Sequence, residues 1–197
     1  DAGMPGISDP GEDMARLCRQ EGIPVTVAPG ASAVVTALVL SGMPARRFIF
    51  EGFLPTDKKE RAEVLARLEK ETRTTVFYEA PHRLTDTLKE LLKSAGNRDA
   101  ACVREITKKY EEVKKDSLEN LLAFYGENPP KGEFVVIVGG ADAEKLRQEE
   151  IEGWESISLE EHMKKYTDSG MSEKDAMKQV AKDRGVSKRE IYALLKG

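Results

Sequence analysis

The chain has 197 residues, which suits one large domain or two small ones and leaves room for a sizeable core. Charged residues make up 34% of the chain and the formal net charge is −4, so a generally basic nucleic-acid binder is excluded and any RNA contact must come from a local patch. No apolar run approaches the roughly 20 residues of a membrane-spanning helix and no signal peptide is recognisable, so we predict a cytoplasmic protein with no membrane partner.

The opening stretch, Asp1-Ala-Gly-Met-Pro-Gly-Ile-Ser-Asp-Pro-Gly11, is a loop rich in glycine and proline. Glycine permits close approach of another molecule, and proline fixes the turns. The loop leads into a helix predicted over residues 12–21, which is a common place to hold a ligand by its backbone. The alternative is a plain surface turn, with Asp9 as a turn or cap residue. Such loops follow a buried strand, and none precedes this one, so we expect the C-terminal portion of a longer protein.

Residues 24–50 predict a strand, a helix and a second strand. The first strand is expected at 24–28, and a Pro-Gly turn then leads to an apolar helix at 33–40 that should be buried on most sides. Ser32 stands where it would cap this helix. The second strand is expected at 47–50.

From residue 57 onward, predicted strands alternate with predicted helices, which is typical of an α/β layered domain. The strands are expected at 74–78, 100–106, 107–113 and 131–138, and the helices at 58–70, 84–92 and 117–124. We therefore place a domain boundary near residue 54. Residues 1–54 are predicted to be the remainder of an N-terminal α/β domain, and residues 55–140 a second α/β domain. The cysteines, Cys18 and Cys102, match no metal or redox spacing, so we predict buried reduced thiols and no metal site.

The last quarter of the chain reads as a charged linker followed by helices. The linker is predicted at 141–157 and the helical module at 158–197, where two short helices flank a Gly-Val-Ser turn in a helix-turn-helix-like pattern. Lys188 and Arg189 lie in the first turn of the last helix, where such folds contact nucleic acid. A small dimerisation or capping module is the equally weighted alternative.

Six motifs occur in an order and spacing that resemble one known family. They are Asp1-Ala-Gly-Met-Pro-Gly-Ile-Ser-Asp-Pro-Gly, Pro29-Gly-Ala-Ser-Ala, Phe50-Glu-Gly-Phe-Leu-Pro, Phe77-Tyr-Glu-Ala-Pro-His-Arg-Leu, Arg104-Glu-Ile-Thr-Lys-Lys-Tyr-Glu-Glu and Lys131-Gly-Glu-Phe-Val. The chain resembles the bacterial ribosomal small-subunit RNA (cytidine-2′-O)-methyltransferases, a branch of the tetrapyrrole (corrin/porphyrin) methylase superfamily. The resemblance covers about residues 1–140, and the helical tail is similar to the family's C-terminal extension.

The resemblance implies a two-domain α/β tetrapyrrole-methylase-like architecture, with the first domain truncated at its N-terminus and an all-α C-terminal module. It also implies S-adenosylmethionine as cofactor, 2′-O-methylation of a cytidine in small-subunit ribosomal RNA, and a homodimer. The family's N-terminal segment is absent from this sequence, so we expect the fragment itself to be inactive. Ala31 and Ala80 stand where relatives often carry Pro and Ser, which are mild departures.

The resemblance places the cofactor in a cleft between the two α/β domains. It implies cofactor contacts by eight residues: Asp1, Ala2, Gly3, Ala31, Ser32, Tyr78, Glu79 and Ile106. For Tyr78 and Ile106, plain core packing is the alternative interpretation. No residue is assigned as general base.

Basic residues at the predicted strand ends are candidates for RNA phosphate binding. These are Arg83, Arg104, Lys108 and Lys109, in addition to Lys188 and Arg189 in the tail. The alternative for the strand-end group is ion pairing with Glu105, Glu111 and Glu112. Two other functions stay open from the residues alone: a methylase that acts on carbon of a tetrapyrrole ring, and a non-catalytic RNA-binding module.

Overall fold

A computed structural model describes residues 3–196 of the chain. The chain divides into two compact units between Ala141 and Asp142. Among the described residues, no helix is both long and apolar enough to cross a bilayer. The division that we predict near residue 54 falls inside the first unit and stays a prediction.

The first unit is built on a five-stranded mixed sheet with helices on both faces. Its strands lie in the order β1-β2-β5-β3-β4, and only the β1–β2 pair is parallel. The strands are β1 (Phe48–Phe53), β2 (Thr74–Glu79), β3 (Asp99–Arg104), β4 (Glu112–Ser117) and β5 (Phe134–Val138). The helices are α1 (Gly11–Gln20), α2 (Ala33–Ser41), α3 (Lys58–Leu68), α4 (Leu84–Ala95) and α5 (Leu118–Glu127).

Alternation along the strands separates two apolar layers. One layer joins Phe77, Cys102 and Val136 to α3, α4 and α5, and we call this side of the sheet the α4 face. The other joins Val76, Val103 and Ile137 to α2, and we call it the α2 face. Because successive side chains of a strand point to opposite sides, neighbouring residues of β2 belong to different layers.

Most of the predicted helices and strands of this unit are confirmed, and two strands are corrected. The strand that we predict at 24–28 is wrong, because that segment pairs with no strand in the described part of the chain. The backbone N–H and C=O groups of an extended segment without a neighbouring strand make no β-sheet hydrogen bonds. The strand predicted at 107–113 begins instead at Glu112, and residues 105–111 form a turn after β3.

The second unit is helical, as predicted, and its helices are α6 (Ala143–Glu155), α7 (Leu159–Thr167), α8 (Glu173–Asp183) and α9 (Lys188–Lys196). Its core contains Met163, Ala176, Val180, Ala181 and Ile191. Gly185, with φ of 64°, forms the turn between α8 and α9, which agrees with the predicted helix-turn-helix-like pattern.

Most of residues 141–157, the segment predicted as a linker, forms α6, and its role as a linker stays a prediction. The carboxylate of Asp142 accepts hydrogen bonds from the backbone N–H groups of Glu144 and Lys145, which caps the helix. The helix carries few apolar residues, and for this reason its periodicity does not stand out in the sequence.

Candidate cofactor and RNA site

One edge of the sheet gathers the loops that carry four of the six motifs. The carboxyl ends of β1, β2 and β3 lie there, together with the amino ends of β4 and β5. The register shows this directly, because Phe134 pairs with both Glu79 and Arg104, and Arg104 also pairs with Glu112. We call this end of the strands the upper edge. Its loops contain residues 54–57, 80–83, 105–111 and 128–133.

On the α2 face, three aromatic rings line the sheet towards the upper edge. Tyr78 makes edge-to-face contacts with Phe50 and Phe53, with ring centroids 4.9 and 5.7 Å apart. Phe53 remains 50% exposed, and Ile106 packs against the same cluster as Phe50 and Tyr78. We call Phe50, Phe53 and Tyr78 the aromatic wall. A partly open wall of this kind suits a flat heterocycle.

The opening loop is joined to the turn that precedes α2. Gly3 and Ala31 form a parallel bridge, and the Met4 N–H donates to the Ala31 carbonyl at 2.8 Å. The structure thereby brings two of the predicted cofactor residues together. Asp1 and Ala2, which we also predict as cofactor contacts, lie outside the described residues.

Asp9 holds the opening loop in its turn. Its carboxylate accepts hydrogen bonds from the backbone N–H groups of Gly6 and Gly11, at 2.9 and 2.7 Å. The hydrogen bond from Gly6 is the largest cause that lowers the pKa of Asp9 below its ordinary value. The interpretation of Asp9 as a turn residue therefore agrees with the structure.

The same loop contacts the sheet beside the aromatic wall. Gly52 interrupts the β1–β2 register. Its φ is 69°, a backbone conformation that residues with a Cβ rarely adopt. A Cβ placed on Gly52 would lie 3.5 Å from the Ser8 hydroxyl oxygen. The bulge therefore places the opening loop next to Phe53.

Helix α2 begins without the side-chain cap that we predict. Ser32 is extended and its hydroxyl makes no capping hydrogen bond, so that prediction is wrong. Burial raises the pKa of Tyr78, and the backbone of Val34 in the first turn of α2 acts in the opposite direction. Tyr78 therefore links the aromatic wall to the first turn of α2.

The side chain of Glu79 lies on the face of the sheet opposite to that of Tyr78, and its predicted cofactor contact stays a prediction. Its carboxylate is buried and accepts hydrogen bonds from the Ala80 N–H at 2.8 Å and the Thr87 hydroxyl at 2.5 Å. Only the backbone of Glu79 remains for a contact near Tyr78. The buried carboxylate instead fixes the turn between β2 and α4.

Three of the four basic residues at the upper edge are engaged by neighbours. Arg83 donates to the Leu54 carbonyl at 3.0 Å, and Arg104 lies 3.3 Å from Glu112. Lys108 is bound between Glu133 at 2.7 Å and Glu105 at 3.2 Å. The hydrogen bond to Glu133 is the largest cause that raises the pKa of Lys108.

The remaining basic candidates are open to an anion. Lys109 is exposed and forms no ion pair with any residue that the structure describes. In the second unit, Arg189 is exposed and Lys188 is half-buried at the start of α9, and within residues 3–196 neither forms an ion pair. These three cations are therefore the ones whose charge is available to phosphate.

Two residues of the site were not singled out from the sequence, although their motif was. Phe50 and Phe53 bracket the Glu-Gly pair of a quoted motif, and the glycine allows the bulge that brings both rings to Tyr78. A glycine inside an otherwise aromatic strand is the signal that would have identified them.

Comparison with known proteins decides the family. The sequence profile of the Tetrapyrrole (Corrin/Porphyrin) Methylases matches residues 1–122. The chain belongs to the tetrapyrrole methylase family. The profile covers the opening loop, α2 and the aromatic wall, and the superfamily that the six motifs predict is thereby confirmed.

Relatives of high identity carry one name. The chain is 48% identical over 192 residues to "Ribosomal RNA small subunit methyltransferase I" of Halalkalibacterium halodurans, which covers 98% of the chain and 66% of the relative. It is 41% identical to the protein of the same name from Bacillus subtilis, over 98% of the chain and 65% of the relative. The chain thus spans about two thirds of the length of these relatives.

Solved structures of the family share the fold. Uroporphyrin-III-C-methyltransferase from Thermus thermophilus is 26% identical, with a TM-score of 0.50, and the match covers 70% of this chain and 60% of that one. Cobalt precorrin-4 methyltransferase is 18% identical, with a TM-score of 0.52, over 70% of this chain and 61% of that one. The fold class that we predict, a mixed α/β tetrapyrrole-methylase architecture, is confirmed.

Proposed function

We propose that the protein containing this chain transfers a methyl group from S-adenosylmethionine to the 2′-hydroxyl of a cytidine in small-subunit ribosomal RNA. The observation that carries this proposal is the 48% identity, across 98% of the chain, to a ribosomal RNA small subunit methyltransferase. The choice of cytidine and of the 2′-oxygen rests on the motif resemblance. A ribosomal RNA substrate would place the protein in the cytoplasm.

The residues present fit S-adenosylmethionine, which carries an adenine, a ribose diol, a carboxylate and an amine. The aromatic wall offers a face for the adenine, and Ile106 extends that apolar surface. The Gly3–Ala31 bridge offers backbone groups to the ribose or the amine. The first turn of α2, which Ser32 leaves uncapped, suits a carboxylate because helix N-termini favour anions.

Positioning is the main contribution that these residues make. When bound, S-adenosylmethionine supplies an electrophilic methyl group, and the ribose hydroxyl must approach it in line. The Tyr78 ring is held by edge-to-face contacts with Phe50 and Phe53, which limits its freedom. We assign no general base, and the proposal requires only that the cleft orient the two reactants.

The tail is proposed to bind RNA through the first turn of α9. Replacing Lys188 and Arg189 together by glutamate should weaken RNA binding and flatten its dependence on salt, because two phosphate contacts are lost. The matched control replaces Lys145 and Arg147 on α6, which changes the net charge by the same amount. Equal effects of the two double variants would contradict the assignment and favour a capping or dimerisation role.

The intact protein is proposed to be a homodimer, as the resemblance implies. Light scattering at working concentration should give twice the protomer mass. A monomer across the concentration range of the activity assay would refute this part of the proposal.

The experiment that tests the function uses the full natural reading frame that contains this chain. Calorimetry should show S-adenosylmethionine binding near 1 μM, which corresponds to about −8 kcal/mol. Labelled methyl should then enter RNA of purified small ribosomal subunits and not a uroporphyrinogen. The structural likeness to a uroporphyrin-III methyltransferase makes the tetrapyrrole the second candidate, and labelling of the macrocycle alone would establish it.

A further inference from the structure

Tyr110 carries a ring that the protein does not bury. It is 64% exposed, more than any other tyrosine in residues 3–196. A single exposed aromatic ring is common on protein surfaces. It indicates a binding role only if the loop that carries it has a fixed conformation. Residues 105–111, which we call the β3–β4 loop, meet that condition.

Backbone strain marks the β3–β4 loop. Glu105 and Thr107 have φ of 50° and 65°, a region that residues other than glycine seldom occupy. For threonine, with its branched Cβ, this conformation is a genuine outlier. Strain of this kind persists only where the surroundings determine the backbone, and it concentrates at functional sites.

Hydrogen bonds inside the loop hold this conformation. The Glu111 carboxylate accepts the Thr107 N–H at 2.6 Å, and the Glu111 N–H donates to the Lys108 carbonyl at 3.1 Å. The Glu105 carboxylate accepts the Glu133 N–H at 2.8 Å, which ties the loop to the segment before β5. Tyr110 lies within the segment closed by these bonds, so its backbone is fixed before any ligand arrives.

The two lysines of the β3–β4 loop differ in whether a carboxylate neutralises them. Lys108 is neutralised by Glu105 and Glu133, whereas Lys109 keeps a free charge among the described residues. The Lys109 ammonium lies 5.5 Å from the centroid of the Tyr110 ring. An exposed ring beside a cation matches one nucleotide, because a base stacks on the ring and its phosphate binds the cation.

The loop also lies within reach of the cofactor site. Ile106 packs against the cluster that contains Phe50 and Tyr78, and Tyr110 follows it by four residues. Their Cα atoms are therefore no more than about 14 Å apart. This separation suits a nucleotide that flanks the methylated one.

We propose that Tyr110 stacks on an unpaired base of the RNA substrate next to the target nucleotide, with Lys109 on the adjoining phosphate. The inference rests on the proposed function, since it names how that substrate is held. A protein partner fits less well, because Tyr110 is flanked along the chain by Lys108, Lys109 and Glu111, and charged residues are depleted at the centres of protein interfaces.

The test measures binding of a single-stranded, cytidine-containing RNA of about twelve nucleotides to the full-length protein saturated with S-adenosylmethionine. Tyr110→Ala should raise the Kd about tenfold, and Tyr110→Phe should stay near the wild-type value because the ring is kept. Val113→Ala, which trims an exposed side chain of the neighbouring strand β4, is the matched control and should change nothing. Cofactor affinity and melting temperature should be unchanged in all three variants.

An abasic oligomer of the same length separates stacking from phosphate binding. Wild type and Tyr110→Ala should bind the abasic oligomer equally. Equal binding of the base-containing RNA by wild type and Tyr110→Ala would overturn the inference and leave the proposed function standing. A lower melting temperature of Tyr110→Ala would also overturn it, since the ring would then be structural. A wild-type protein that binds cofactor but transfers no methyl to small-subunit RNA would overturn the proposed function itself.

Discussion

Replacing Thr87 by valine should destabilise the first unit through a single hydrogen bond. Thr87 lies on α4 and is fully buried, and its hydroxyl donates to the carboxylate of Glu79 on β2. Valine keeps the shape of threonine, so no cavity forms, and the helix propensities of the two residues are similar. The substitution therefore removes a donor and little else.

The expected effect follows from the burial of the carboxylate. The Glu79 side chain has no exposed surface, and its other partners are the Ala80 N–H at 2.8 Å and Arg83 at 3.5 Å. A hydrogen bond to a charged group contributes about 1.5–3 kcal/mol, and water does not replace the lost donor at a buried site. Opening of the β2–α4 region should become easier by about that amount.

Hydrogen exchange read by mass spectrometry is the suitable assay, because peptides from residues 74–95 report on the first unit alone. The control is Thr85→Val on the same helix, where threonine is half-buried. We expect faster exchange in Thr87→Val and near wild-type exchange in Thr85→Val. Equal exchange in the two variants, within about 0.5 kcal/mol, would refute the claim that Glu79 depends on this donor.

Three further predictions test other parts of the structure. Burial lowers the pKa of His162, so the stability that its neutral form contributes is present above about pH 6.5 and is lost as the pH falls below it. Fluorescence of Trp154, which stacks on His162 at 4.0 Å, should show easier unfolding at about pH 5 than at about pH 7.5, and pH-independent unfolding would contradict this. Gly126→Ala in α5 should stabilise by about 0.5–1 kcal/mol in a urea titration, since nothing lies within 4 Å of the added Cβ, and a loss of stability would be inconsistent with that open space. Gly132→Ala should weaken RNA binding, because φ is 86° and the added Cβ would lie 2.5 Å from the Glu105 side chain; unchanged binding would argue against a fixed β3–β4 loop.

Regular elements with a buried side were predictable because their periodicity is local. Strand β5, Phe134–Val138, is an uninterrupted apolar run, and α4 repeats leucine at helical spacing. Helix α6 was missed because it carries few apolar residues, although Asp142 was a recognisable cap. The segment 24–28 has the composition of a strand but pairs with no strand within the described chain. Amino-acid composition does not indicate whether a neighbouring strand is available.

The candidate site was predictable where a motif defines a backbone turn. The bridge between Gly3 and Ala31 joins two motifs that the sequence places 28 positions apart. The direction of the Glu79 side chain was predictable, because Tyr78 and Glu79 are adjacent in a strand and their side chains must point to opposite faces. The ion pair of Lys108 with Glu105 was among the predicted alternatives, whereas its pairing with Glu133 was not predictable, since Glu133 lies 25 residues away and only the fold brings it close.

The measurement that tests the central claim most directly is mass spectrometry of nucleosides from small-subunit ribosomal RNA. Subunits isolated from cells that lack the gene would be incubated with the full-length protein and S-adenosylmethionine, and then digested. The account predicts the appearance of one new nucleoside, 2′-O-methylcytidine, which depends on both the protein and the cofactor. A methyl group on a base, on another nucleoside or on no RNA at all would contradict it.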